Sequence, residues 1–182
     1  MKIEHILYHS DIEKTFRCSM LFDFVTEETE RYKSYNQNPE TGKVTIYPYH
    51  NLIMSRSYED RIFIPTKRYP QFIILLERSI RLISEHLYEL YPNITKNEFE
   101  IDHKTLEIFQ TERALSIAGM TMIPDIFVNE VSETFPAIHI SMNNGSTFKL
   151  TLNDAMGISK ILNVVDPYNL GLSLLRTCGK IQ

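Results

Sequence analysis

The sequence predicts an α+β protein made of two strand-rich repeats, each a run of antiparallel strands followed by a helix, packed as one compact unit over residues 1–182. Three observations carry this reading. Between residues 70 and 90, Phe72, Ile73, Leu76, Ile80, Ile83, Leu87 and Leu90 recur at spacings of one, three and four, the signature of an amphipathic helix. Ala137–Met142 and Thr147–Leu152 flank Asn143-Asn144-Gly145-Ser146, and Asn-Gly supplies the positive φ that tight hairpin turns require. Strands followed by a helix then occur twice in chain order, over 1–93 and 94–182.

Taken in order, Phe16–Val25 and Lys43–Tyr49 have the β-branched and aromatic content of strands. The polar stretch Glu27–Thr41 between them, ending Asn38-Pro39-Glu40-Thr41-Gly42, reads as a loop. Asn51–Ser57 and Arg61–Ile64 surround the polar turn Tyr58-Glu59-Asp60 and make a hairpin. The helix from Pro70 to Leu90 follows. It starts on a proline suited to a first helical position, carries a Glu77/Arg81 pair four apart, and stops at Pro92-Asn93. In the second half, Glu98–Asp102 and Thr105–Thr111 alternate as strands do. Ser116–Val128, interrupted by Gly119 and Pro124, reads either as a strand pair or as an irregular crossing. After the Asn-Gly hairpin, Asn153 or Asp154 caps a helix bearing Met156, Ile158, Ile161, Leu162 and Val165 that ends at Asp166-Pro167. Tyr168–Thr177 is a last short helix.

A shift of 88 residues places Arg61 on Lys149 and Phe72-Ile73-Ile74 on Lys160-Ile161-Leu162, close to the half-length of 91. The repeat rests on pattern rather than on residue identities. The alternative is a single α+β domain whose two strand-then-helix runs coincide.

With 43% hydrophobic and 23% charged residues, the composition excludes disordered, collagenous and coiled-coil classes. The longest apolar run, Phe72–Leu76, is too short to span a bilayer, so no membrane partner is expected. Met1-Lys2-Ile3-Glu4-His5 meets an acid too early for a signal or transit peptide. Cys18 and Cys178 cannot form a disulfide framework, and inert thiols in a reducing compartment are favoured over one bridge between the two ends. A soluble, cytoplasmic protein is expected.

No pattern for catalysis emerges. The six histidines include His5 and His9, which would share a face if helical, yet no HExxH or acidic partner pattern accompanies them. His139 alternates with Ile138 and Ile140 and is expected at the surface. Neither a glycine-rich phosphate loop nor a GxSxG elbow is present, and the aspartates stand apart from one another. The sequence therefore predicts no enzyme, no cofactor and no metal.

Charge and aromatics point elsewhere. The net charge is −4, but Arg56, Arg61, Lys67, Arg68, Arg78 and Arg81 face only Glu59, Asp60 and Glu77 within 56–81, a local +3. Tyr47, Tyr49, Tyr58 and Tyr69 interleave with Arg56, Arg61, Lys67 and Arg68. Proteins that hold single strands combine a basic groove with aromatic faces on which bases stack, each worth about 1–3 kcal/mol. The same residues also fit a plain solvated surface whose tyrosines cover a sheet.

The stretch Ile64-Pro65-Thr66-Lys67-Arg68 resembles the hydrophobic-Pro-Thr-basic-basic stretch of the positive-cofactor-four coactivator family, although here the helix follows almost at once. The strands-then-helix order is similar to that family and to the Whirly and Pur families of single-stranded-DNA-binding proteins. That resemblance implies a curved antiparallel sheet that binds nucleic acid and a helix that makes intramolecular or dimer contacts. The expectation is a non-enzymatic protein binding single-stranded DNA or RNA. Arg56, Arg61, Lys67 and Arg68 would contact phosphates, with Lys149 as the second-half equivalent of Arg61, and Tyr47, Tyr49 and Tyr58 would stack. The alternative is a protein–protein adaptor or assembly subunit indifferent to nucleic acid. A homodimer or higher oligomer stays open under either.

Overall fold

A computed structural model describes residues 2–24, 48–96, 100–112 and 115–179. The first sheet is an antiparallel meander of β1 (Lys2–His9), β2 (Arg17–Phe24), β3 (Pro48–Ser55) and β4 (Arg61–Pro65), paired in chain order. The predicted loop 27–41 and most of the predicted strand 43–49 lie outside the described residues. The inward face carries Cys18, Met20 and Phe22 from β2, Leu52 and Met54 from β3, and Ile62 and Ile64 from β4, all fully buried. The register sets them side by side: Met20 opposes Leu52, which opposes Ile64, and Cys18 opposes Met54, which opposes Ile62.

β1 was not anticipated. Its burial alternates weakly and a bulge between Ile6 and Tyr8 breaks the period, so neither helical nor strand spacing stands out in the sequence. As a strand, β1 does not give His5 and His9 the common face that a helix would. His5 opposes Met20 on the inward face and His9 opposes Arg17 on the outward face, so the two histidines point to opposite sides.

A 3-10 turn, Thr66–Arg68, leads into α1 (Tyr69–Glu85), with Pro70 in its first turn and Tyr69, Phe72, Leu75, Leu76, Leu82 and Ile83 buried. The predicted single helix is interrupted at His86 (φ −119°, ψ 26°), and α2 (Leu87–Leu90) completes it. Glu77 accepts a hydrogen bond from Asn163 Nδ2 at 2.6 Å, across to the second half.

The predicted strand Thr105–Thr111 is helical instead: α3 spans His103–Glu112. Asp102 decides this, because its Oδ2 accepts from the Thr105 backbone N (2.9 Å) and from Thr105 Oγ1 (2.7 Å), closing the first turn. Those bonds also hold the Asp102 carboxyl below the usual range. Phe109 is the buried anchor of α3, its ring 4.9 Å from that of His86.

The second sheet is again a meander in chain order: β5 (Ser116–Ile117), β6 (Met120–Val128), β7 (Thr134–Met142) and β8 (Thr147–Thr151). The segment 116–128 is thus a strand pair, turned by Ala118 (φ 51°) and Gly119 (φ 76°), the two positive φ values of a type I′ turn. A Cβ on Gly119 would sit 2.4 Å from Asn143 Nδ2, so a side chain there would displace Asn143 as well as strain the positive φ. Pro124 is tolerated because β5 covers only the start of β6, leaving the proline at an edge position.

β8 runs directly into α4 (Leu152–Leu162). Its cap is Thr151, not Asn153 or Asp154: Thr151 Oγ1 accepts from the Asp154 backbone N at 3.1 Å and donates to Asp154 Oδ2 at 2.7 Å. Asp166 caps α5 (Pro167–Thr177), with Pro167 at the first helical position.

The long helices bridge the two halves. α1 leaves the first sheet and packs on β5, β6 and α4, while α4 leaves the second sheet and reaches β1 as well as β7 and β8. β4 and β8 lie near one another, and α5 packs on β3. One continuous core results, drawing Phe22, Leu52 and Ile64 together with Met122, Ile140 and Leu150. Both cysteines are free thiols; Cys18 is buried, which pushes its thiol up to about 12, and Cys178 is exposed. Among the described residues, no helix is long and apolar enough to cross a membrane.

Candidate functional site

The alternation that turns Met20 and Leu52 inward turns their neighbours outward. One outward row of the first sheet is Arg17–Ser55–Arg61, residues opposed in register on β2, β3 and β4. The adjoining row is Ile6–Ser19–Ile53–Phe63. Beside these rows, the turn from Arg56 to Asp60 is closed by Arg56 N donating to Asp60 O and by Ser57 Oγ accepting from the backbone N of Glu59 and Asp60. This turn holds Tyr58 out from the sheet, 80% exposed.

Arg61 meets Tyr58 here. Its guanidinium carbon lies 4.0 Å from the centroid of the Tyr58 ring and 5.0 Å from that of Phe63, itself 40% exposed. Cation–π contact of this kind holds the guanidinium flat while leaving its N–H edge free to bind an anion. Arg17 stands two strands away, its Nη2 3.8 Å from Glu4 Oε1, an exposed pair of small energetic weight. Arg61, Tyr58, Arg17 and Glu4 line a cleft of about 450 Å³.

Arg56 is placed differently from the expectation. Its Nε and Nη2 bind the Glu13 carboxylate as a fork, Nη1 donates to Asp60 Oδ2 at 3.2 Å, and Nη2 donates to the Lys149 carbonyl at 2.6 Å. The guanidinium carbon sits 4.4 Å from the Phe127 ring centroid, 4.5 Å from Phe148 and 5.5 Å from Phe16. With its side chain 12% exposed, Arg56 is a tie between the sheets, its charge matched by Glu13 and Asp60. Its nearness to the cleft comes from this structural position.

Lys149 likewise has its ammonium occupied. On the outward face of the second sheet its Nζ lies 2.8 Å from Asp125 Oδ2 and donates to the Ile126 carbonyl at 3.2 Å. His139, opposite Lys149 in register, approaches the same Asp125 oxygen at 3.4 Å through Nδ1.

Lys67 and Arg68 are on the 3-10 turn after β4, Lys67 exposed and Arg68 half-buried. A strand rises about 3.3 Å per residue, so the length of β4, about 13 Å from Arg61 to Pro65, separates them from Arg61. The basic window 56–81 therefore divides among a buried tie, the cleft, the turn and α1 instead of converging. Tyr49 stands in β3 opposite Asp23, while Tyr47 and the Tyr49 side chain lie outside the described residues.

Arg17, Glu4 and Phe63 were missed as site residues. The alternation Arg17-Cys18-Ser19-Met20 carried the signal for Arg17, since the residue flanking a buried Cys18 must face outward, but its partnership with Arg61 depends on register. Among the described residues, no group of three or more His, Cys, Asp or Glu is placed to hold a metal ion. In comparisons with known proteins, no family, curated protein or solved structure matches this chain.

Proposed function

We propose that the protein binds single-stranded nucleic acid on the outward face of its first sheet. One observation carries this reading: Arg61 lies across the exposed rings of Tyr58 and Phe63, beside the cleft that Arg17 closes from the other side. Exposed aromatic faces stack bases without regard to sequence, and adjacent arginines neutralise the backbone. The phosphate contacts are Arg61 and Arg17, with Lys67 and Arg68 extending the path along β4. Arg56 and Lys149 serve the fold. The strands-then-helix order resembles the positive-cofactor-four, Whirly and Pur families and supports the same reading.

The test is fluorescence anisotropy of a labelled oligo-dT at low salt. Binding that weakens steeply with salt and drops at least tenfold in the Tyr58→Ala/Arg61→Ala double variant is expected. Absence of binding at low salt overturns the proposal. A second reading, a protein–protein adaptor, is favoured by the open apolar positions Ile6 (42% exposed) and Phe63 on the same face. It predicts self-association or partner binding that salt does not disturb.

A further inference from the structure

We infer that the cleft beside Arg61 accepts a ribonucleotide, so that the strand proposed above is RNA rather than DNA; the inference rests on that reading and names its substrate class. The reason is the acid in the cleft. Arg17, Ser55 and Arg61 stand side by side on neighbouring strands. Strands lie about 4.8 Å apart, so the stems of the two arginines are about 10 Å apart with the serine between them, a spacing that brackets a phosphate group. Glu4 lines the same cleft. Its Oε1 accepts from Ser19 Oγ at 2.6 Å, which lays the carboxylate along the sheet toward Arg17, 3.8 Å from Nη2.

A carboxylate beside a phosphate seat repels the phosphate. For a strand offering only phosphates and stacked bases, Glu4 is a net cost. It becomes favourable when the ligand brings a hydroxyl donor within reach, and the ribose 2′-OH is the donor that separates RNA from DNA. The Ser19 bond orients Glu4 for this, because it occupies one carboxylate oxygen and fixes the plane of the other. The cleft, at about 450 Å³, falls within the usual range of ligand pockets, large enough to seat a sugar with its phosphate. Tyr58 at its rim supplies the ring for the attached base.

The experiment compares labelled oligo-rU with oligo-dU, which share a base and differ at the 2′ position. With the wild-type chain, rU is expected to bind about tenfold more tightly, since a hydrogen bond to a charged acceptor contributes at least that factor. Glu4→Ala is expected to bring the ratio near one by weakening rU, with dU unchanged or tighter. Glu4→Gln, which keeps the shape and removes the charge, gives an intermediate ratio. Equal wild-type affinities overturn the inference and leave the proposed function standing, as does a preference for rU that survives Glu4→Ala. Binding of neither oligonucleotide overturns the proposed function and the inference with it.

Discussion

Arg56 and Lys149 meet across the two sheets, the guanidinium Nη2 donating to the Lys149 carbonyl at 2.6 Å while Phe16, Phe127 and Phe148 surround it. The contact fastens the end of β3 to β8, and the Glu13 carboxylate, 7% exposed, completes it. Removing one member of such a pair leaves the other charged and unmatched. Arg56→Ala is expected to cost about 3–5 kcal/mol in urea unfolding. Arg56→Lys recovers little, because a lysine cannot form the fork or lie flat among the rings. Replacing the pair together, Arg56→Met with Glu13→Leu, is expected to cost less than Arg56→Ala alone, since neither partner is left uncompensated. Equal losses in all three would place the stabilisation in the aromatic packing instead.

Tyr8 and Gly157 make the second link between the halves. The Tyr8 hydroxyl donates to Oδ1 of the fully buried Asp154 at 2.8 Å, and its ring lies so close to α4 that a Cβ at residue 157 would be 2.6 Å from Tyr8 Cε2. Burial and the adjacent carboxylate push the Tyr8 phenol far above its ordinary value, so it stays a donor at all working pH. Tyr8→Phe leaves a buried carboxylate oxygen without its partner and is expected to cost about 1–3 kcal/mol. Gly157→Ala is expected to cost about 1–3 kcal/mol in the wild type through overpacking. The penalty should shrink to a few tenths in a Tyr8→Ala background. A double-mutant cycle by thermal or urea unfolding measures the coupling, and an additive result would mean that the helix, not the ring, resists the methyl group.

These links explain what was legible in the sequence. Periodicity shows α1 and the β7–β8 hairpin because each is a long, locally consistent pattern: Phe72, Leu76 and Ile83 on one stripe, and Ile138, Ile140, Phe148 and Leu150 alternating about an Asn-Gly turn. It misreads α3 because Thr105–Thr111 alternates by chance, while Asp102 and Thr105, the residues that start the helix, are polar and carry no weight in a hydrophobic pattern. In the candidate site, Arg61 and Tyr58 were within reach of sequence reasoning, since only Glu59 and Asp60 separate them. Glu4 and Arg17 were not, because their place beside Arg61 follows from strand register. The enclosure of Arg56 was hidden for the same reason: the three rings around it come from segments more than a hundred residues apart at the extremes, so only its positive charge was visible.

His50 gives the protein a pH dependence. It faces inward on β3, its ring edge-on to Tyr69 at 5.3 Å and 6.3 Å from Phe22, and its buried Nε2 has no hydrogen-bond partner among the described residues. Its backbone is anchored by Thr66 Oγ1, which donates to the His50 carbonyl. Desolvation lowers the imidazole below its ordinary value of 6.5. The unfolded chain therefore takes up this proton first as pH falls, and the unfolded state gains relative to the folded one. Stability is expected to be full above pH 6.5 and to decline below it, until the folded imidazole also protonates. The melting temperature measured from pH 7.5 to 5 should fall less in His50→Phe than in the wild type. An unchanged slope would assign the acid sensitivity to other groups.

The contrast between Arg61 and Lys149 tests the placement of the interface. Both bases were expected to contact phosphate as equivalents in a repeat, but their surroundings differ. The Arg61 guanidinium rests on two exposed rings, whereas the Lys149 ammonium is held by Asp125 Oδ2 at 2.8 Å and by the Ile126 carbonyl at 3.2 Å. For a lysine to reach a phosphate it must first leave these partners, so it releases little counterion on binding. Arg61→Ala is expected to weaken oligonucleotide binding several-fold at low salt and to lower the slope of log affinity against log salt by about one. Lys149→Ala is expected to leave both quantities unchanged. Equal effects of the two substitutions would extend the interface over the second sheet, and an effect of Lys149→Ala alone would move it there.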